Sequence, residues 1–293
     1  MAKPRGWLEW NAEQARGWIR VPGPADDKYT RGVLGVLTGS KDYPGAAVLG
    51  VEAAARTGVG MVRYTGPGRA GTLVLQRRPE VVLVAGRVQA WLLGSGINAA
   101  TRTADVTRDL DAALAEGLPT VCDAGALDRL GLAEADAARQ VVITPHFREL
   151  AALLNGLPKA RQTTAEQIAA APAEAAIRAA RLLGVTVLLK GSVTRIASPT
   201  GARLTVSGAP AWLSTAGSGD VLGGILGALL ATNSARVETD TDALAALAAT
   251  AALVHARAAE LASAGGPITA LDVAEAVPAV MRALLAVPAE GKH

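Results

Sequence analysis

Short apolar runs alternate with helical patterns along most of this chain, and this alternation restricts its fold more than any other feature. The runs that favour strands are residues 32–39, 60–65, 89–94, 118–123, 140–144 and 185–190. Helical patterns lie between several of them, at residues 44–57, 103–116 and 174–183. Strands that alternate with helices form a mainly parallel sheet, because each helix carries the chain back across one face. We therefore predict an α/β fold with a parallel central sheet and helices on both faces.

The pattern changes after residue 190. Residues 192–198 and 203–207 flank Pro199-Thr200-Gly201, which predicts a β-hairpin at the edge of the sheet. Three helical stretches follow, at residues 221–231, 242–263 and 269–285. No repeat or linker divides the chain. We predict a single domain over residues 28–287, preceded by a less regular arm at 1–27 and followed by a tail at 288–293.

Composition sets the class of protein. Half of the 293 residues are hydrophobic and 19% are charged, which suits one large core and excludes a disordered chain. The net charge is +3, but the basic residues are scattered, so nucleic-acid binding is not predicted. The single cysteine, Cys122, lies in an apolar run and is predicted to be a buried core residue in a reducing compartment.

Neither a signal peptide nor a membrane span is predicted. The N-terminus lacks the apolar core of a signal peptide. The longest apolar stretch, at residues 243–254, is too short to cross a bilayer before it reaches His255 and Arg257. We therefore expect a cytoplasmic protein without membrane contact.

The segment Ala216-Gly217-Ser218-Gly219-Asp220, here called the glycine turn, precedes an apolar helical stretch. Backbone N–H groups at a helix start point at one spot where the helix dipole favours negative charge, and glycine lets the backbone approach a ligand. An aspartate beside such an anion hole can take a proton from a hydroxyl while the hole holds the phosphoryl group that the hydroxyl attacks. The glycine turn predicts a phosphoryl-transfer centre, with a plain helix-capping turn as the alternative.

Polar clusters follow the predicted strands at their carboxyl ends. In open α/β sheets, ligands bind beyond this edge. The clusters are Thr38-Gly39-Ser40, Gly94-Ser95-Gly96, Asp123, Thr144-Pro145-His146 and Lys190-Gly191-Ser192. Together with the glycine turn, they predict an extended site for a large phosphorylated ligand.

Taken in order, these segments resemble the ribokinase-like superfamily and, within it, the NAD(P)H-hydrate dehydratases. The matching segments are Lys28-Tyr29-Thr30-Arg31-Gly32, Gly39-Ser40 with Tyr43-Pro44-Gly45-Ala46-Ala47, Gly94-Ser95-Gly96, Asp123-Ala124, Thr144-Pro145-His146-Phe147-Arg148-Glu149, Lys190-Gly191-Ser192-Val193-Thr194 and Gly217-Ser218-Gly219-Asp220. Three positions depart from the family pattern. Gly125 stands where a second Asp is frequent, Ser95 replaces the usual Pro, and Ser218 replaces a common Thr.

The resemblance implies repair of hydrated nicotinamide cofactors. The hydroxyl on the ring carbon next to the nitrogen of the S epimer of hydrated NADH or NADPH is phosphorylated from a nucleotide, and the phosphate then leaves. The compact bacterial type that this chain resembles uses ADP, giving AMP, phosphate and NAD(P)H. The resemblance also implies Mg²⁺ as cofactor, a homo-oligomer (a tetramer), and a separate NAD(P)H-hydrate epimerase as functional partner.

The resemblance assigns roles to residues of this chain. Asp220 is the base toward the hydroxyl, and the amides of Gly217, Ser218 and Gly219 stabilise the moving phosphoryl group. The remaining roles fall into three groups: nucleotide binding by Lys190, Gly191, Ser192, Val193, Thr194 and Gly219; cofactor binding by Ala46, Gly96, His146 and Asp220; and an indirect contact of Glu149 to Mg²⁺ through water.

Each assignment has a structural alternative. Lys190 can be an exposed lysine at a strand end, His146 a capping residue, and Glu149 a first-turn glutamate that favours the helix dipole. Ala46 and Gly96 can be packing residues, and His255 in its apolar helix is predicted to be structural. A small-alcohol kinase that uses ATP, and a non-catalytic nucleotide-binding module, are the alternative functions. His146 favours the dehydratase, since such kinases tend to carry Asn there.

Overall fold

The computed structural model describes residues 6–131, 140–158 and 162–286. Its strands are β1 Leu8–Glu9, β2 Val33–Leu37, β3 Met61–Tyr64, β4 Ala90–Leu93, β5 Thr120–Cys122, β6 Val141–Ile143, β7 Thr186–Leu189, β8 Thr194–Ala197 and β9 Arg203–Val206. They form one sheet in the order β1-β9-β8-β7-β6-β5-β4-β2-β3. Strands β2 to β7 pair in parallel throughout, so their carboxyl ends meet at one edge. The predicted parallel sheet is confirmed.

Helices cover both faces of this sheet. The helices are α1 Ala12–Arg16, α2 Pro44–Thr57, α3 Gly68–Arg77, α4 Ala104–Ala115, α5 Phe147–Asn155, α6 Ala165–Ala170, α7 Pro172–Leu183, α8 Ser218–Thr232, α9 Ser234–Thr239, α10 Ala243–Ser263 and α11 Ala270–Leu285. Successive strand residues point to opposite faces. Leu34 and Val36 accordingly enter a core with α2, α8, α10 and α11, whereas Val33 and Leu37 enter a second core with α4, α5 and α7.

The predicted hairpin forms, but it does not lie at the sheet edge. Strands β8 and β9 pair antiparallel, and β1 then adds in parallel to β9. The Trp10 N–H extends this pairing by donating to the Thr205 carbonyl at 2.8 Å. Trp10 and Trp18 are buried in the core on the α10 side, which explains why this part of the predicted arm joins the sheet. The predicted tail at 288–293 lies outside the described residues.

Helix α10 is longer than the apolar stretch that the sequence analysis identified. It continues past His255 to Ser263, so the prediction that this stretch is too short to span a bilayer is wrong in length. By length and composition α10 can cross a membrane, yet 83% of its most apolar window is buried inside the protein. The apolar side chains of α10 therefore pack within the protein core.

Helix α8 begins earlier than predicted. It starts at Ser218, so Ser218, Gly219 and Asp220 form its first turn, and Gly217 is the N-cap with φ of 86°. The α8 backbone lies against α2, because a side chain at Gly224 would overlap the Gly50 carbonyl. This close approach places the first turn of α8 at the carboxyl edge of the sheet.

Candidate active site

A buried carboxylate lies at the centre of the carboxyl edge. Asp123 follows β5 directly and is 5% exposed. Its Oδ1 accepts a hydrogen bond from Thr144 Oγ1 at 2.8 Å, and its Oδ2 accepts one from Ser95 Oγ at 3.1 Å. Lys190 Nζ at the end of β7 donates to Oδ1 at 3.2 Å. The side chains that follow four neighbouring strands therefore meet at one carboxylate.

Lys190 is shared among several carboxylates. Its Nζ lies 3.6 Å from Glu149 Oε2 as well as 3.2 Å from Asp123 Oδ1. Burial lowers the pKa of Lys190, but the charges of Asp123, Glu149 and Asp220 outweigh it and raise the pKa above its ordinary value. The ammonium is therefore held in its charged form. We call Lys190 with these three carboxylates the site cluster.

Asp220 is the titratable member of the site cluster. Burial raises its pKa, the charge of Asp123 raises it further, and Lys190 offsets only part, which brings the pKa to about 7. A carboxyl group with this pKa exchanges protons readily near neutral pH. The structure thus gives Asp220 the proton affinity that a general base requires.

The glycine turn presents unpartnered amides next to this carboxylate. The Ser218 N–H donates to the Thr215 carbonyl over a long 3.4 Å bond. The N–H groups of Gly217, Gly219 and Asp220 have no partner among the residues that the structure describes. Lys190 Nζ lies 3.5 Å from where a Cβ on Gly219 would stand. The turn and the ammonium therefore border the same space, although Ser218 is partly engaged, unlike the free amide that the sequence analysis predicted.

The two small residues predicted to line the cofactor pocket lie side by side. Gly96 has φ of 67°, and a Cβ there would overlap the Ala46 Cβ and lie 3.0 Å from the Tyr43 carbonyl oxygen. Packing alone thus accounts for small side chains at both positions. Contact of Ala46 and Gly96 with a cofactor stays a prediction.

His146 caps helix α5, as its structural alternative anticipated. Its Nδ1 accepts from the Glu149 N–H at 3.1 Å, while Glu149 Oε2 accepts from the His146 N–H at 2.8 Å. Because Nδ1 is an acceptor here, the neutral imidazole carries its proton on Nε2. The side chain is 52% exposed, so this N–H can still donate to a ligand. Capping and ligand binding are compatible at this residue.

The predicted nucleotide segment connects β7 to β8. It begins at Lys190 and ends at Thr194, the first residue of β8. Gly191 packs near the Phe147 ring, 3.1 Å from the position of an added Cβ. A cavity of about 390 Å³ opens beside Phe147, with His146, Arg148, Ala165, Glu166 and Ala169 as its other lining residues. The contacts of Gly191, Ser192, Val193 and Thr194 with nucleotide stay predictions.

The donor set does not form a direct metal site. Among the described residues, no group of three His, Cys, Asp or Glu side chains is arranged to hold a metal ion. Glu149 Oε2 already accepts from the His146 N–H and faces Lys190. Mg²⁺ prefers phosphate oxygens and its own waters to a protein cage. The residues therefore fit an ion that arrives on the nucleotide, with Glu149 reaching at most its water shell.

Asp123 is the functional candidate to which the sequence analysis assigned no role. The sequence placed it at the carboxyl end of a strand together with the other polar clusters. The missing signal is that Ser95, Thr144 and Lys190 all converge on it, which depends on the order of strands in the sheet. A lone acidic residue directly after a buried strand is the local feature by which it can be found.

Comparisons of this chain with known proteins identify its family. The sequence model of the family described as NAD(P)H-hydrate dehydratase (Carb_kinase) matches residues 34–278. A bifunctional NAD(P)H-hydrate repair enzyme of Mycobacterium leprae is 42% identical over 266 residues, covering 86% of this chain and 50% of that protein. An ADP-dependent (S)-NAD(P)H-hydrate dehydratase of Neisseria meningitidis is 36% identical over 224 residues, covering 70% of this chain and 71% of that protein.

A solved structure confirms the fold. The ADP/ATP-dependent NAD(P)H-hydrate dehydratase of Bacillus subtilis, co-crystallised with ATP and Mg²⁺, aligns with a TM-score of 0.81 at 24% identity, over 95% of this chain and 99% of that one. The ribokinase-like fold is therefore confirmed. This chain spans about half the length of the bifunctional relatives. The match over residues 34–278 and the identity to both relatives establish that the chain belongs to the NAD(P)H-hydrate dehydratase family.

Proposed function

We propose that this chain dehydrates the S epimer of hydrated NADH or NADPH with ADP as the phosphoryl donor. Its membership of the dehydratase family supports this assignment. One observation of the site carries the proposal: a mostly buried carboxyl group, Asp220, stands beside the unpartnered amides of the glycine turn and near the charged Lys190. A base, an anion hole and a cation are the parts that phosphoryl transfer to a hydroxyl needs.

The proposed reaction has two stages. Asp220 takes the proton of the ring hydroxyl, whose oxygen attacks the β-phosphorus of ADP, and AMP leaves. The nitrogen lone pair of the ring then expels phosphate, the carbon–oxygen bond breaks, and the adjacent ring carbon loses a proton to restore the double bond of NAD(P)H. The chain contributes the first proton transfer and the amides that stabilise charge on the moving phosphoryl group.

Lys190 and the segment to Thr194 bind the phosphates of the nucleotide in this proposal. The Lys190 ammonium lies near three carboxylates. A phosphate of the nucleotide can replace one of them as its partner, so the positive charge of Lys190 stays paired. Mg²⁺, when bound to the nucleotide, neutralises phosphate charge, and Glu149 contacts its water shell. His146 donates from Nε2 to the hydrated cofactor, with Ala46 and Gly96 lining the pocket.

The test is an absorbance assay. The protein is incubated with chemically hydrated NADPH and with ADP, ATP or no nucleotide, and the return of the dihydronicotinamide absorbance is followed. We expect recovery with ADP and none without nucleotide. Failure of both nucleotides to restore absorbance would overturn the dehydratase assignment, and transfer of phosphate from ATP to a small alcohol would instead support the kinase alternative.

The setting of the reaction is also a proposal. A homotetramer in the cytoplasm, acting with a separate NAD(P)H-hydrate epimerase, follows from the resemblance. Relatives of about twice the matched length are named bifunctional repair enzymes. Sedimentation of the purified protein tests the tetramer.

A further inference from the structure

The cavity beside Phe147 brings together two opposite charges that the proposed reaction does not use. Arg148 of α5 and Glu166 of α6 both line it, together with His146 and Phe147. Its volume of about 390 Å³ lies within the range of small-molecule pockets. An aromatic ring, a cation and an anion around one space are groups that a nucleoside and its phosphate can contact.

The fold itself gives no reason for an arginine at position 148. The side chain is exposed, and Arg148 makes no hydrogen bond or ion pair with any residue that the structure describes. It also lies in the first turn of α5, where the helix dipole disfavours a positive charge. Its guanidinium is therefore available to pair with an anionic group of a ligand.

Glu166 brings a negative charge to the same cavity. Hydrogen bonds from its own backbone N–H and from the Thr164 side chain lower the pKa of Glu166, and the charge of Arg148 lowers it further. The carboxylate is therefore ionised at neutral pH. A glutamate in the first turn of α6 suits the helix dipole, which accounts for it within the fold. An ionised carboxylate that lines a cavity also accepts hydrogen bonds from ligand hydroxyls and repels phosphate.

A series of short distances links this cavity to the glycine turn. Lys190 Nζ lies 3.5 Å from where a Cβ on Gly219 would stand and 3.6 Å from Glu149 Oε2. Glu149 Oε2 lies in turn 3.6 Å from His146 Nε2, and His146 lines the cavity. A dinucleotide is an extended ligand with one nucleoside at each end. When its nicotinamide end is at the glycine turn, its other nucleoside can therefore reach the cavity.

We propose that the cavity beside Phe147 binds the adenosine end of the hydrated cofactor, and that Arg148 and Glu166 set the preference between its two forms. This inference rests on the proposed function. Hydrated NADPH carries a phosphate on the 2′ oxygen of that adenosine, where hydrated NADH has a hydroxyl. An arginine accommodates a 2′-phosphate, and an acidic residue accepts a hydrogen bond from a 2′-hydroxyl. Arg148 thus favours hydrated NADPH, and Glu166 favours hydrated NADH.

His146 favours the hydrated cofactor as the occupant of the cavity. It lines the cavity and keeps an exposed Nε2 donor for that ligand in the proposed function. The other candidate is the adenosine of ADP, because Gly191 of the predicted nucleotide segment packs near the Phe147 ring. ADP has no 2′-phosphate, and its binding contributes equally to the turnover of both hydrated cofactors. The kinetics of the two substrates therefore distinguish the two occupants.

The test compares Arg148→Gln and Glu166→Gln with the wild type on both hydrated cofactors at saturating ADP. For Arg148→Gln we expect kcat/KM to fall about tenfold with hydrated NADPH, because a charge-assisted hydrogen bond is lost. With hydrated NADH it should change less than about twofold. For Glu166→Gln we expect a rise of about threefold with hydrated NADPH, because a repulsion is removed. With hydrated NADH we expect a fall of about threefold, because a neutral amide is the weaker acceptor.

Two matched controls on α7 separate this effect from net charge and from helix stability. Arg178→Gln removes a positive charge from an exposed position outside the lining of the cavity. Glu174→Gln removes a glutamate from the first turn of α7, as Glu166→Gln does in α6. Both controls should leave the ratio of the two kcat/KM values unchanged. Arg148→Lys keeps the charge without the planar guanidinium, so we expect an intermediate ratio.

Calorimetry without nucleotide adds a measurement that does not depend on turnover, because phosphoryl transfer needs a donor. The Kd of hydrated NADPH should rise about tenfold in Arg148→Gln, and that of hydrated NADH should stay within about twofold. Substrate ratios and Kd values that stay unchanged in both variants overturn the specificity role and leave the proposed function standing. A raised KM for ADP with an unchanged substrate ratio assigns the cavity to ADP and also overturns it. No recovery of absorbance with the wild-type protein overturns the proposed function and this inference with it.

Discussion

Two charge clusters in this protein, each containing a buried carboxylate, have opposite compositions. In the first, here called the arginine cluster, the fully buried Glu52 of α2 pairs with three arginines: Arg56 and Arg78 at 2.5 Å, and Arg77 at 3.2 Å. Burial raises the pKa of Glu52, but the hydrogen bonds from Arg78, Arg56 and Arg77 lower it to about 2. Arg77 also pairs with Glu275 of α11. The single negative charge of Glu52 thus has three positively charged partners.

In the site cluster the proportions are reversed, because one ammonium serves three carboxylates. Burial raises the pKa of both carboxyl groups, but Lys190 offsets only part of the rise at Asp220, whose pKa is about 7, whereas three arginines lower that of Glu52 to about 2. An excess of cations keeps a buried carboxylate ionised, and its ion pairs then hold neighbouring helices together. A shortage of cations leaves a carboxylate that binds and releases a proton near neutral pH, which is the property that catalysis uses.

The largest predicted effect follows from substitution of Asp220, the titratable member of the site cluster. Asp220→Asn is expected to lower kcat about 10²- to 10⁴-fold, the usual contribution of a general base. The amide keeps the shape of the side chain, so calorimetry should still detect ADP binding. Glu275→Gln, on the exposed side of the arginine cluster, is the control and should leave kcat unchanged. Near-normal turnover of the Asp220 variant would remove the base from the proposed reaction.

Substitutions in the arginine cluster should change the stability of the protein and not its activity. Glu52→Gln is expected to lower the free energy of unfolding by about 3 kcal/mol, because removal of one member leaves buried charges without their partner. Denaturant unfolding measures this loss. Glu275→Gln should cost less than about 1 kcal/mol, since its pair with Arg77 is largely exposed. Equal losses from the two variants would show that burial does not set the strength of this cluster.

The contributions of the two clusters to the free energy of unfolding should also depend on pH in opposite directions. The pKa of Asp220 rises from 3.8 to about 7 on folding, so its contribution to stability is present below about pH 4 and is lost as the pH rises through 7. The pKa of Glu52 falls from 4.5 to about 2, so its contribution is present above 4.5 and is lost as the pH falls through 2. Asp220→Asn is therefore expected to stabilise the protein by roughly 1–3 kcal/mol at pH 8 and hardly at all at pH 4.

Melting curves of the wild type and of this variant at the two pH values measure the difference. A variant that is less stable than the wild type at pH 8 would contradict the raised pKa.

The smallest effect concerns the crowding of carboxylates. The charge of Asp123 raises the pKa of Asp220, so Asp123→Asn should move the acid limb of the kcat/KM profile from near pH 7 to lower pH. At pH 8 the base is already ionised, and kcat/KM is expected to change less than about tenfold. The profile is recorded from pH 5 to 9. A limb that stays in place would show that Asp123 does not act on Asp220.

The parts of the fold that depend on local pattern could be predicted from the sequence. The bounds of α2 agree residue for residue, because Pro44 begins the helix and Gly58, with φ of 102°, ends it. Strands β2 to β7 each lie inside a predicted apolar run, because a short run of buried apolar residues is itself the local pattern of a parallel strand. Strand β1 has only two residues, and its pairing depends on the burial of the adjacent Trp10 against Thr250 of α10, 240 positions away, which no local pattern encodes.

The site could be predicted only in part. The glycine turn and the polar strand ends gave Asp220 and Lys190, whose side chains the fold brings into one cluster. The role of Asp123 depends on strand order, since it meets Lys190 across 67 positions of sequence. Glu52 was not recognisable as a polar centre of the core for a similar reason, since its partners Arg77 and Arg78 lie 25 and 26 positions away in sequence. The start of α8 was misplaced because Ser218 and Gly219 have low helix propensity.

The convergence of strand ends at Asp123 links ligand binding to the stability of the fold. Every group of this site comes from a different strand end or helix start, so a molecule in which one strand has detached has no intact place for a ligand. Occupancy is thus a measure of complete folding, and any ligand that binds there at 100 times its Kd adds about 2.7 kcal/mol against unfolding of the entire sheet. Depletion of that ligand removes this stabilisation and raises the fraction of unfolded chain that a protease can cleave.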